Sequence, residues 1–176
     1  FWMDATHPWD LLSLSRDLLS RGWVNLSGDD DRYVADTANI HPDATLVSPV
    51  VIDSDAVVEA GAVVGPYAAI GESVTVGAGA VLRDAVVDSD TTVGPNTIAT
   101  ELVVGQGCKL GPALTVTGGP ADVVLNGQVY DDIDLGGVIA DRVEIGGDAT
   151  LKPGALVGPD VTIGDGVVVQ GHIDAD

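Results

Sequence analysis

The chain has one cysteine, one phenylalanine and only two lysines, Lys109 and Lys152, in 176 residues. A single cysteine excludes an internal disulfide framework. With aromatics at 4%, a core of large rings is excluded, and burial falls to Val, Ile, Leu and Ala. No apolar run approaches the roughly 18 residues needed to span a bilayer as a helix. No leader pattern follows Phe1, and the expectation is a cytoplasmic protein without a membrane partner. Seven basic residues stand against 27 acidic ones, for a net charge of −20. That balance argues against nucleic acid and anionic membranes as partners. The acid runs Asp29-Asp30-Asp31 and Asp131-Asp132 lack an EF-hand pattern and read as solvated loops. So acidic and lysine-poor a surface suits a salt-rich cytoplasm, where counterions screen self-repulsion, so a halophilic source is expected.

What is present is a six-residue period. An aliphatic residue returns at Ile40, Leu46, Ile52, Val58, Val64, Ile70, Val76 and Leu82. After a five-residue step it resumes at Val87 and Val93. A second such step lies between Ala99 and Val104, and Leu110 and Val116 follow. The series runs again from Ile139 through Ile145, Leu151, Val157 and Ile163 to Val169. A small or β-branched residue sits four places after most of these, as at Ala44, Ala56, Ala62, Ala80, Ala149 and Val161. Gly often follows the aliphatic residue, as at Gly71, Gly77, Gly94 and Gly111, where it is expected to serve a corner by its backbone freedom. A hexad is too short for a helical repeat and wrong for a heptad. It fits one face of a triangular β-solenoid, a short strand and a turn, with about 18 residues per coil. At about 4.8 Å per coil, the hexads stack roughly seven coils deep, each burying its core on its neighbours. Cys108 falls at an inward small position and reads as a packed core residue.

The hexads of residues 40–116 and 138–174 resemble the hexapeptide-repeat family. The resemblance implies an all-β fold, a left-handed parallel β-helix. That hand departs from the usual rule for parallel crossovers. A short N-terminal α-helix precedes it. Thr6-His7-Pro8 looks like a helix start with Pro8 in the first turn. Leu11, Leu12, Leu14, Leu18 and Leu19 form its apolar stripe, and Gly22 can close it. The expected organisation is therefore 1–23 as the end of a preceding domain and a linker helix, 24–39 as linker, and 40–176 as β-helix. An insertion at 117–137 interrupts the repeat, with a hairpin over Val123–Tyr130 around Asn126-Gly127.

The N-terminal segment carries a second resemblance. Trp2-Met3-Asp4, then Pro8-Trp9-Asp10-Leu11-Leu12, then hexads, is similar to the junction in two-domain, archaeal-type sugar-1-phosphate nucleotidylyltransferases. Members of the glucose-1-phosphate thymidylyltransferase and N-acetylglucosamine-1-phosphate uridylyltransferase kind share this order. The resemblance implies a parent enzyme that joins a nucleoside triphosphate to a sugar-1-phosphate and releases pyrophosphate. It places Asp4 where the family holds its catalytic Mg2+. The family's glycine-rich nucleotide loop and second metal aspartate are absent, so this stretch is expected to transfer no nucleotide alone and to need no cofactor. Its expected role is assembly with copies of itself, in a homotrimer.

An alternative of another class is an acetyl-CoA-dependent N-acetyltransferase acting on an amino-sugar-1-phosphate. Family acetyltransferases of that type resemble H-x-S-Y followed by N-x-G-A-G-T, and neither motif occurs here. The candidates for its general base are His41 and His172. Asn96, in Gly94-Pro95-Asn96-Thr97, is a candidate polar group or a turn residue. Lys152 and Arg83 are candidates for the anionic coenzyme, with an intersubunit salt bridge the competing role for Arg83. His7 reads as a cap or surface residue. Three scattered histidines do not make the zinc site of a γ-type carbonic anhydrase. A third alternative is a standalone structural module.

Overall fold

The computed structural model describes residues 5–21 and 31–175. The Trp2-Met3-Asp4 motif and Gly22 lie outside the described residues. The hexads wind a left-handed parallel β-helix, with one short helix laid along it. Most strands are two or three residues long, because one prism face holds no more before the chain must turn. Within a strand the side chains alternate: Val74 and Val76 are fully buried while Thr75 between them faces outward. Successive coils pair in parallel and in register, Ile52 on Ile70 and Ile70 on Val87. The inward residues therefore stack into one apolar column running the length of the prism.

The three faces differ in what they turn outward. The helix face carries eight strands, from Arg32–Val34 to His172–Ile173. Its outward column is Val51, Ala69, Val86, Val103, Val138 and Leu156. The polar face has seven strands and turns out Asn39, Val57, Thr75, Thr92, Lys109, Glu144 and Thr162. The open face also has seven rungs, from Thr45–Leu46 to Val168–Val169, and nothing among the described residues covers its middle. The solenoid thus makes about eight turns, one more than the hexads from Ile40 suggest. The extra rung is Arg32–Val34, inside the stretch expected as linker, where Val34 continues the six-residue phase back from Ile40 and pairs with Ile52.

Both five-residue steps fall at one corner, between the open and helix faces. Losing a residue there removes the turn, so the two face strands fuse into the seven-residue strands Val81–Val87 and Ile98–Val104. Asp84 and Glu101 take left-handed backbone at the bend, with φ of 51° and 57°. The insertion leaves from this same corner one coil higher. Strands Pro120–Leu125 and Gln128–Asp134 form an antiparallel hairpin, longer than expected, on Asn126 and Gly127. Both turn residues have positive φ, 52° and 77°, as a two-residue hairpin turn requires.

Most glycines after the aliphatic residues, among them Gly71, Gly77, Gly94 and Gly111, serve close approach, which corrects the expectation of backbone freedom; Gly65, at φ 101°, does use that freedom. A Cβ at Gly94 would come within 2.5 Å of the Gly111 carbonyl carbon, and one at Gly111 within 2.5 Å of that of Gly146. Adjacent coils touch backbone to backbone along this edge, so no side chain fits. Left-handed φ falls two places further on, on glycines such as Gly61, Gly79, Gly107 and Gly166 and on Asp and Asn, as at Asp55, Asp90, Asn96, Asp148 and Asp160. Their short polar side chains tolerate that conformation.

Helix Asp10–Ser20 packs on the outward column of the helix face. A turn at Pro8 and Trp9 leads into the helix proper at Asp10, and Trp9 already has helical φ and ψ of −72° and −18°. The Asp10 carboxylate reaches back to accept the N–H groups of Thr6 and His7 at 2.9 and 2.8 Å. His7 is therefore no cap. It is half-buried, stacked on Trp9 with ring centres 4.7 Å apart, and Tyr130 of the hairpin meets it edge-on at 4.5 Å. Trp9 and Leu12, Val103, Val138 and Leu156 of the face, and Val123 and Leu135 of the insertion form a second core outside the prism.

Candidate functional site

Where helix, shortened corner and hairpin meet, one arginine and two acids form a linked polar site. Arg16 extends from the helix to the corner. Its Nε donates to both Asp84 oxygens at 2.9 and 2.7 Å, and its Nη2 donates to Asp84 and, at 3.5 Å, to Glu101. Glu101 in turn accepts the Gly119 N–H at the base of the hairpin, at 2.7 Å. The hydrogen bond to Asp84 raises the Arg16 guanidinium above its ordinary range, against a smaller opposing effect of burial. A guanidinium on two carboxylates is a strong, directional contact. It fixes the helix to the solenoid and, through Glu101, to the insertion. This clasp holds an orientation; it offers no nucleophile and no base near a substrate-sized space. The sequence carried a signal for it, since each five-residue step contains an acid, Asp84 and Glu101, where the turn was lost.

Beside the helix runs a groove of about 560 Å³, floored by Val51, Ala69 and Val86 and walled by Leu11. Its far rim is acidic, with Asp53, Asp88 and Asp141. Such a rim repels phosphates and carboxylates.

The sequence candidates are not brought together. His41 is exposed near the bottom of the prism, where its Nδ1 accepts the Asp43 N–H at 3.1 Å. His172 is exposed at the top, its Nε2 3.1 Å from Asp174. They sit about 30 Å apart along the axis at about 4.8 Å per coil. Asn96 is exposed in a turn at φ 58°. Arg83 and Lys152 are exposed on one border of the open face, three coils apart, with no ion-pair partner among the described residues. Asp4 lies outside the described residues. Among the described residues no cluster of three or more His, Cys, Asp or Glu is arranged to hold a metal. Cys108 is buried, and burial pushes its thiol up. Among the described residues no helix is long and apolar enough to cross a membrane.

The family model of the GMPPB C-terminal domain matches residues 46–173. This chain belongs to that family. It shares 34% identity over 90 residues with the bifunctional protein GlmU of Carboxydothermus hydrogenoformans, covering 49% of this chain and 19% of that protein. The GlmU of Heliobacterium modesticaldum is 33% identical over 87 residues, with the same coverage. The match thus spans about a fifth of the length of these curated relatives. A solved hexapeptide transferase family protein from Anaplasma phagocytophilum superposes with a TM-score of 0.43 at 21% identity, over 77% of this chain and 71% of that one. The domain described here is thus a GMPPB-type C-terminal β-helix domain, as its hexads imply.

Proposed function

We propose that this domain assembles a sugar-1-phosphate nucleotidylyltransferase. It would hold the parent's catalytic domains in a homotrimer while they join a nucleoside triphosphate to a sugar-1-phosphate. The observation that carries this reading is the double anchoring of the helix, by the Trp9 core and by Arg16 on Asp84 and Glu101. An oligomerising solenoid sets the geometry of its cargo only if the connecting element is rigidly seated, and here it is. The acidic groove rim and the dispersed histidines favour a scaffold over acyl transfer. Magnesium belongs to the parent's catalytic domain in this reading, with Asp4 among its ligands. The acidic surface supports a cytoplasmic, salt-rich setting.

The second reading, acetyl-CoA-dependent transfer to an amino-sugar-1-phosphate, draws on the unpaired Arg83 and Lys152 and on the likeness to proteins named bifunctional. One experiment separates the two. Sedimentation equilibrium establishes the mass, and thiol release from acetyl-CoA is followed in molar salt with glucosamine-1-phosphate and galactosamine-1-phosphate. A trimer without turnover is the expected outcome. Turnover abolished by His41→Ala or His172→Ala would sink the scaffold reading.

A further inference from the structure

We infer that the groove beside the helix is a docking site for a basic amphipathic α-helix of another protein. The groove runs up the helix face over five coils, from Val51 through Ala69, Val86 and Val103 to Val138. Four steps of about 4.8 Å make it about 19 Å long. That is the length of about 13 helical residues at about 1.5 Å each. Helix Asp10–Ser20 covers only one side of this column. Pro8 and Leu11 wall the groove on that side, and Leu11 stays 38% exposed. The space of about 560 Å³ is apolar on its floor and near wall, and no Lys, Arg or His lines it. An amphipathic helix laid in such a groove buries its apolar stripe there.

Charge on the far wall selects the occupant. Asp53 and Asp88 leave the helix face two coils apart, with Gly71 in the coil between them. Asp141 stands two coils above Asp88, past Gly105. Acids therefore return every second coil, about 10 Å apart. Same-face residues of an α-helix return every seventh position, at about 10.5 Å. An extended segment sets them about 7 Å apart and falls out of step. Asp53 and Asp88 each fix one oxygen on the N–H of the following serine, at 2.7 Å. Among the described residues neither meets a Lys or Arg, since Arg16, Arg21, Lys109 and Arg142 pair with other acids. A second copy does not supply the partner. Of the seven basic residues, Arg16 and Arg21 belong to the seated helix and its C-cap, and the other five lie in the solenoid. A net charge of −20 repels a copy from this rim and attracts a basic helix to it.

The test is fluorescence anisotropy of a labelled synthetic peptide with the full chain at about 0.15 M salt, where charge is incompletely screened. The peptide is about 15 residues long, four helical turns. It carries lysine at every seventh position, leucine one and four places after each lysine, and alanine and glutamine elsewhere. It is expected to bind at least ~10-fold more tightly than a scrambled peptide of the same composition, which has equal charge and no apolar stripe. Asp53→Asn with Asp88→Asn keeps the turn bonds and is expected to weaken binding ~10-fold. Asp43→Asn with Asp165→Asn removes the same charge from the corner between the polar and open faces. That control is expected to leave binding within ~2-fold. Leu11→Lys, at an exposed helix position, sets a cation across from the rim and is expected to weaken binding at least ~10-fold. Circular dichroism checks that each variant is folded. Equal binding of the scrambled peptide overturns the groove and leaves only attraction to an acidic surface. Equal losses from the two asparagine pairs overturn the rim as the source of charge. Undiminished binding to Leu11→Lys overturns the location. A longer parent chain that rejects the peptide while this domain binds it puts the parent's preceding domain in the groove and overturns the outside partner.

Discussion

Replacing Arg16 by Met should undock the helix, and the size of the effect follows from the clasp. Arg16 is 39% exposed, while Asp84 and Glu101 are 17% and 16% exposed. At an effective dielectric near 20, one pair at 4 Å is worth about 4 kcal/mol before desolvation. Desolvation and screening reduce the net to about 1–2 kcal/mol. Met also leaves two carboxylates facing each other on adjacent coils, about 5 Å apart, and their repulsion brings the cost to about 2–3 kcal/mol. An 11-residue helix has little stability of its own, so its amide protection reports docking. Hydrogen exchange of residues 11–20 is expected to quicken ~30–150-fold in Arg16→Met, at about 1.4 kcal/mol per decade. Adding Asp84→Asn and Glu101→Gln should recover most of the protection by removing the repulsion. Equal exchange in Arg16→Met and wild type would refute the clasp. A triple variant as unprotected as Arg16→Met would refute the argument from facing carboxylates. Arg16 is raised above its unfolded value, so its contribution is complete below the ordinary guanidinium range and is lost only as pH climbs through the raised value. Between neutrality and pH 10, Arg16 itself should therefore add no pH dependence to helix protection.

Leu82→Ala opens a cavity at a fully buried position and should cost about 2–5 kcal/mol in denaturant unfolding. Gly94→Ala should destabilise strongly, because the neighbouring coil's backbone stands at 2.5 Å from the new methyl. Gly164→Ala, whose new Cβ meets only a Val167 methyl at 3.9 Å, should leave the melting temperature nearly unchanged. Cys108 should resist a thiol-reactive disulfide reagent at pH 8 and react once per chain after denaturation. Burial raises its thiol above the unfolded value, so stability from this group holds below the ordinary thiol range and falls as pH rises through the raised value. Molar salt should raise the melting temperature by screening a net charge of −20.

The prism was legible because its signal is periodic and local. Each hexad repeats the same demand, an aliphatic residue inward, a small one at the crowded approach and a turn. The insertion was legible for the same reason, since Asn126-Gly127 states its own turn. The glycines misled because one residue type answers two needs. Missing Cβ atoms at Gly94 and Gly111 make room for a neighbouring coil, and a linear reading sees freedom of φ instead. His7 misled similarly, because its partner Tyr130 lies more than a hundred residues away.

By itself the sequence determined the solenoid, its core column, the hairpin and the acid-dominated surface. All four follow from patterns within one or two hexads. Only the tertiary structure decided what the solenoid's outside is for. Stacking coils every ~18 residues turns scattered positions into columns, and the columns assign each face its part. The apolar one receives the helix, and the two lost corner residues put Asp84 and Glu101 where Arg16 can bind both. Those contacts join residues 68 and 85 positions apart, a separation no local pattern records.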